Sequence, residues 1–272
     1  MVDNVRVGIF GGSGFYSLVD GMQQVEVDTP YGKPSSPLMV GEIEGVKVAF
    51  MPRHGVKHEL PPHAINYRAN VWAMKAAGVR DVIGPCAAGS LQPHVGLGSF
   101  VVMDQFVDRT SARKDTFYDG PATTHIAQAE PYCPVLRQHA IAKCKQLGIE
   151  VHETGTVVVI QGPRFSTVAE SRWFSSMGWE VINMTQYPEG YLCRELEMSY
   201  TGIALITDYD VGLADNPEIE PVSHEMVVKV FTENNEKLKG LLRAMVIDMP
   251  ALEGRVSPAM NALEGARFGP AD

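Results

Sequence analysis

Short β-branched apolar runs alternate with helix-periodic segments through the second half of this chain, and that alternation restricts the fold more than any other feature. "GTVVVIQG" (155–162) reads as a strand, "TVAESRWFSSMG" (167–178) as a helix, and "WEVINMT" (179–185) as a strand. "PEGYLCRELEM" (188–198) is again helical, "YTGIALITD" (200–208) is a strand, and a long amphipathic helix over 223–247 closes the series. Strands separated by helices are joined by crossovers, which leave them largely parallel and covered on both faces. The expected fold class is α/β: one domain over residues 1–250, with a central mixed, largely parallel β-sheet flanked by helices.

The first half fits the same plan. Val5–Phe10 forms a strand that runs into "GGSG", and 37–51 reads as a hairpin turning at Glu44-Gly45. Ile65, Ala69, Trp72, Ala73 and Ala76 recur at helical spacing before Gly78. "VRDVIG" follows as a strand with a small-residue turn at "AAGSL", and then "GSFVVMD" as another strand. The polar stretch 104–133 reads as mostly irregular, and Pro134 opens a helix to 147. The Gly/Pro/Ala-rich tail, 251–272, is expected to be loosely ordered or peripheral.

Charge and cysteine content exclude several classes. With 23 Lys+Arg against 32 Asp+Glu the net charge is −9, and no basic stripe offers a nucleic-acid footprint. No apolar run reaches transmembrane length and the N-terminus lacks a signal-peptide pattern, so neither membrane nor secretion is expected and the expected location is cytoplasmic. Cys86, Cys133, Cys144 and Cys193 show no CxxC spacing, which suggests neither a zinc site nor a disulfide framework.

The chemistry gathers at strand ends, where α/β sheets place their sites. Gly11, Gly12, Ser13 and Gly14 follow the first strand; their amides and the Ser13 hydroxyl suit an anion, and equally suit a plain tight turn. The spacing is not GxGxxG, because Ser17 stands three residues after Gly14. Arg53 and His54 in "PRHG" suit an oxyanion, the arginine through its planar fork, or a solvated surface pair. His54 and His58 are four apart, but no HExxH motif accompanies them and no metal is expected. Asn183, Met184 and Thr185 end one strand, with Thr185 able to donate to phosphate and Met184 to lie against a sugar, or simply to lead into the next helix. Phe165 and Ser166 precede a helix, where the ring suits a planar base and Ser166 or Thr167 suits an N-cap. Asp208 and Asp210 end "GIALITDYD"; two nearby carboxylates point to a raised pKa and an acid able to protonate a leaving nitrogen, against the plainer reading of a turn.

"GGSG", "DTPYGKPS", "RHG", "FYDG", "AEPYCP", "QGPRFST.AES", "INMT..PE" and "TDYD" occur in this order along nearly the whole chain. In them the chain resembles the 5′-methylthioadenosine phosphorylases of the trimeric purine nucleoside phosphorylase family. The resemblance implies a phosphorylase/hydrolase-like fold, a homotrimer with shared sites, and attack of phosphate on C1′ without metal or cofactor. It implies that Ser13, Arg53, His54, Ala87 and Thr185 surround phosphate and that Met184, beside Asn183, meets the ribose. Phe165, Ser166, Asp208 and Asp210 would hold the purine. Val222, Val227 and Val228 would line the 5′ pocket, with His125 reaching into the neighbouring subunit's site. Asp at the second acidic position, where 6-oxopurine enzymes carry Asn, implies adenine as the base.

Two departures refine the expectation. Where the methylthioadenosine enzymes carry "TTACGSL" this chain has "GPCAAGSL", putting Cys86, a weaker donor, in place of a phosphate-binding threonine. His224 replaces a small apolar residue near the 5′ group, where 6-oxopurine enzymes place a histidine facing a 5′-hydroxyl. The expected reaction is phosphorolysis of 5′-methylthioadenosine, with purine nucleoside phosphorolysis of broader 5′ tolerance as the alternative. A hydrolytic nucleosidase and a non-catalytic nucleoside binder are weaker rivals, since they leave the anion donors or the acid without a role.

Overall fold

The computed structural model describes residues 5–12, 15, 21–121, 123–211, 213 and 221–268. Its first elements are β1 (Val7–Gly11), β2 (Gln23–Val25), β3 (Leu38–Ile43), β4 (Val46–Pro52), α1 (Tyr67–Ala76) and β5 (Asp81–Ser90). Next come β6 (Phe100–Val102), β7 (Gln105–Arg109), β8 (Thr123–Thr124), α2 (Pro134–Gln146), β9 (Val151–His152) and β10 (Thr156–Ile160). The chain continues through α3 (Val168–Ser176), β11 (Val181–Asn183), α4 (Gln186–Glu195), β12 (Ser199–Asp208), α5 (His224–Ile247) and β13 (Arg267–Phe268).

Among the described residues eleven strands form one sheet, with β5 at its centre. β5 pairs in parallel with β1 and β12 and antiparallel with β11, so the sheet is mixed as well as largely parallel. The pleat sorts side chains into two layers. Val7 and Ile9 of β1 and Ile203 and Leu205 of β12 pack with Leu136, Ile141, Leu238 and Leu242 of α2 and α5. Phe10, Ala204 and Ile206 face the opposite layer, with Val71 and Met74 of α1 and Leu192 of α4. Helices therefore cover both faces of the central strands, which explains why those strands read as unbroken apolar runs.

Local signals are realised where chemistry demands them. The β3–β4 turn sits at Glu44 and Gly45, both with positive φ (48° and 83°), which matches the twist of a two-residue hairpin. Thr167 and Glu170 close a capping box on α3, and Ser223 caps α5.

Three segments differ from the sequence reading. The small residues at 87–90 form no turn: β5 runs through to Ser90, because β12 pairs with it as far as Gly89 and β11 pairs at Gly89 and Ser90. The stretch 104–133 contributes β7, which pairs in parallel with β10, and its loop is fastened to α4. There Glu195 accepts from Thr116 Oγ1 and the Phe117 amide, both at 2.7 Å. The tail, expected to be loose or peripheral, is anchored as far as residue 268. Arg255 pairs with buried Asp81, Ser199 Oγ donates to Ser257 Oγ at 2.8 Å, and β13 pairs with β8.

Candidate active site

The C-terminal ends of β1, β4, β5 and β12, with β11 beside them, border a cavity of about 360 Å³. Arg53, His54, Cys86, Ala87, Phe165, Asn183, Met184, Thr185, Asp208, Asp210, His224 and Val227 all line it. Ser166, His125, Val222 and Val228 do not. Ser166 follows Phe165 in the chain, Val228 is exposed on α5, and Val222 donates its amide to the Asp210 carbonyl. His125 is exposed just after β8, its amide bound to the Ala266 carbonyl and its ring 6.0 Å from Phe268. Ser13 lies outside the described residues.

Two acids line the cavity. Asp208 is 5% exposed and Asp210 2%. They do not share a strand face as an extended segment would place them: β12 shifts register after Ile206, and Asp210 adopts φ 51° beyond the strand. Each Asp208 oxygen is engaged, Oδ1 by the Asp210 amide at 2.9 Å and Oδ2 by Thr207 Oγ1 at 2.8 Å. Gly89 is required beneath it, since a Cβ there would sit 2.6 Å from Asp208 Oδ1. Burial raises the Asp208 carboxyl to about pKa 6, and the Asp210 charge adds only a lesser push. The sequence reading assigned that shift to the second carboxylate; desolvation is the larger cause. Asp210 is raised as well, again by burial. Ser171 and Ser166 temper that shift, although neither Ser166 Oγ nor Asp210 Oδ2 completes a hydrogen bond.

The arginine behaves differently from the expected open fork. Arg53 is fully buried, and Nε and Nη2 make a bidentate pair with Glu189 at 2.7 and 2.8 Å. Nη2 also donates to Phe10 O and Nη1 to Pro85 O, so one N–H of Nη1 remains free of these bonds. That nitrogen is the one a Cβ on Gly12 would approach to 2.8 Å. Tyr200 Oη holds Glu189 Oε1 at 2.8 Å, in space that exists only because residue 84 is glycine. Ion pairing outweighs burial and keeps Arg53 charged. Thr185 is the N-cap residue of α4 yet its side chain makes no capping bond, which leaves the hydroxyl for the cavity.

Cys86 is buried and its thiol is pushed up to about pKa 11 by desolvation. Its sulfur receives Asn183 Nδ2 at 3.3 Å and Gln186 Nε2 at 3.7 Å. The residue therefore orients two amides as well as facing the cavity. Among the described residues Asn183 Oδ1 has no hydrogen-bond partner at 6% exposure, an acceptor available to a ligand.

The remaining wall carries imidazoles. His54 and His58 stack with centroids 4.4 Å apart, and His224 follows 6.3 Å from His58. Burial lowers His54 to about pKa 4 and lowers His58 as well. Sequence reasoning weighed His58 only as a metal ligand; among the described residues no group of three or more His, Cys, Asp or Glu is placed to hold one. It missed Glu189 too, for which the signal was an acid on the buried side of α4 followed by the uncharged run "GYLC".

Anion donors and buried, tuned acids lining one cavity make up the site of a group-transfer enzyme. Comparison with known proteins specifies which. Residues 6–247 match the family model described as the phosphorylase superfamily. A purine nucleoside phosphorylase of Streptomyces coelicolor is 48% identical, over 96% of this chain and 95% of its own. An S-methyl-5′-thioadenosine phosphorylase of Thermococcus kodakarensis is 50% identical, over 90% and 93%. The structure of a methylthioadenosine phosphorylase from Schistosoma mansoni in complex with adenine superposes with TM-score 0.90 at 35% identity, covering 97% of this chain and 99% of that one. The chain belongs to the phosphorylase superfamily.

Proposed function

We propose that the protein catalyses phosphorolysis of 5′-methylthioadenosine to adenine and 5-methylthioribose 1-phosphate, a pentosyl transfer of purine and methionine salvage. The observation that carries this reading is one cavity lined both by the acids Asp208 and Asp210 and by Arg53, His54 and Thr185. Phosphate seated among the anion donors attacks C1′ while the C1′–N9 bond breaks, and its negative charge stabilises the oxocarbenium character that develops between them. The departing purine gains negative charge, and protonated Asp208 donates to N7. Asp210 accepts from the 6-amino group, which an oxo group at C6 does not offer. Phe165 and Met184 pack against base and ribose. No cofactor takes part, and inorganic phosphate is the co-substrate.

The site is completed in a cytoplasmic homotrimer, with His125 delivered to the 5′ end of a neighbouring subunit's site. A second reading, phosphorolysis of adenosine or other 5′-hydroxyl purine nucleosides, draws on His224 in the cavity wall, where a methylthio group alone has no use for an imidazole. One relative, in Streptomyces coelicolor, bears the name purine nucleoside phosphorylase. One assay decides: base release from methylthioadenosine, adenosine and inosine, with and without phosphate. The expected order of kcat/KM is methylthioadenosine, adenosine, inosine, with release dependent on phosphate. Inosine in first place removes the adenine assignment, and release independent of phosphate removes the phosphorylase.

A further inference from the structure

The hydrogen bond that holds His54 also decides what its ring offers a ligand. Nδ1 lies 2.9 Å from the Leu60 carbonyl oxygen, and a carbonyl can only accept, so Nδ1 carries the proton. In the neutral ring Nε2 is then a bare lone pair, and it is the ring nitrogen left for the cavity that His54 lines. The surroundings keep the ring neutral. Burial is the largest influence; the Leu60 hydrogen bond pulls the other way, and neighbouring Arg53 and the stacked His58 act with burial.

Among the described residues no nearby anion opposes this. Glu189 is committed to Arg53, and the Glu59 carboxylate is turned onto the Lys57 amide at 2.8 Å. Cys86 holds its proton, and His224 stands beyond His58 on the far side of the stack. Asp208 lies against Gly89, four residues along β5 from the Pro85 carbonyl that Arg53 binds. The arginine charge is itself matched by the Glu189 carboxylate, so the anion site is far less cationic than "Arg-His" in the sequence implies.

We propose that His54 Nε2 accepts a hydrogen bond from the bound oxyanion, so that the site selects phosphate that carries a proton. The inference rests on the phosphorolysis reading. Mono- and dihydrogen phosphate each bring an O–H to donate to Nε2. Sulfate near neutral pH brings none. To be seated against Nε2 it requires a proton from solvent, which bonds to that nitrogen and leaves His54 as an imidazolium donating to a sulfate oxygen. Sulfate binding is thereby linked to uptake of one proton, and phosphate binding is not.

The experiment is the pH dependence of two constants on the purified protein, between about pH 6 and about pH 9, across which hydrogen phosphate keeps a proton. They are the KM for phosphate and the Ki of sulfate competing with it, both in adenine release from methylthioadenosine. The ratio Ki/KM cancels the titration of groups that both anions meet alike. It is expected to climb about tenfold per pH unit, the slope of one linked proton. In His54→Asn, whose amide can turn an N–H toward the anion, the climb is expected to vanish. A flat ratio in the wild-type protein overturns the proposal, without any need for the variant to fold. Phosphate-dependent release with a flat ratio sinks this inference alone, whereas release that ignores phosphate sinks the reaction as well.

Discussion

Replacing Asp208 by Asn should make the protein more stable and nearly inactive, and the structure sets the size of the first effect. The carboxyl is 5% exposed and its pKa stands at about 6, against the ordinary value of 3.8. A folded-state pKa raised above the unfolded one means that the folded state binds the proton more tightly. Stability is therefore full below pH 3.8 and is lost as pH rises through 6. The shift is 6 − 3.8 = 2.2, and at about 1.4 kcal/mol per unit the ionised carboxylate costs about 3 kcal/mol at neutral pH. An amide carries no charge to desolvate. Its oxygen still accepts from the Asp210 amide, and Thr207 can redirect its hydroxyl toward Ala88 O, which lies 3.4 Å away.

The assay is denaturant or thermal unfolding of both proteins along a pH series. The Asp208→Asn variant should gain nothing near pH 4 and about 2–3 kcal/mol near pH 8, roughly 5–10 °C in Tm. Adenine release should meanwhile fall on the order of 10²-fold or more, the usual weight of a positioned general acid. A stability difference that does not change with pH would refute the claim that burial tunes this acid. Full activity in the same variant would refute the role of Asp208 as the proton donor to N7.

Cys86→Thr restores a hydroxyl donor at the cavity wall while leaving an oxygen for Asn183 Nδ2 to reach, so the KM for phosphate should fall about tenfold; an unchanged or higher KM means that the wall at Cys86 does not meet phosphate. Glu189→Ala strands the Arg53 guanidinium, which is fully buried, and should cost about 3–5 kcal/mol in denaturant unfolding. A loss below about 1 kcal/mol would mean that Arg53 finds water or another partner instead.

The strands and helices of this chain were legible because their signals are local. The run Val157-Val158-Val159, the caps at Thr167 and Ser223, and the positive-φ turn at Glu44-Gly45 each act within a few residues. The reading failed at 87–90, where small residues imitate a turn. A strand with ladders on both sides tolerates them, and that pairing comes from β11 and β12, about 90 to 120 positions away. What holds the tail in place was likewise not legible, because it depends on Asp81, Ser199 and the strand at 123–124.

The candidate site divides along the same line. Sequence by itself determined which side chains reach strand ends, since alternation and the end of each apolar run place Arg53, Asn183, Thr185 and Asp208 there. Only the tertiary structure decided their chemical state. Desolvation, more than the pairing of two acids, lifts Asp208, because the carboxyl lies between β5 and β12 above a glycine. Arg53 is bound by an acid 136 residues away, and His54 is given its tautomer by a carbonyl on its own loop. Burial and partner identity are properties of the packed chain, and they turn the same residue types into donors, acceptors or acids.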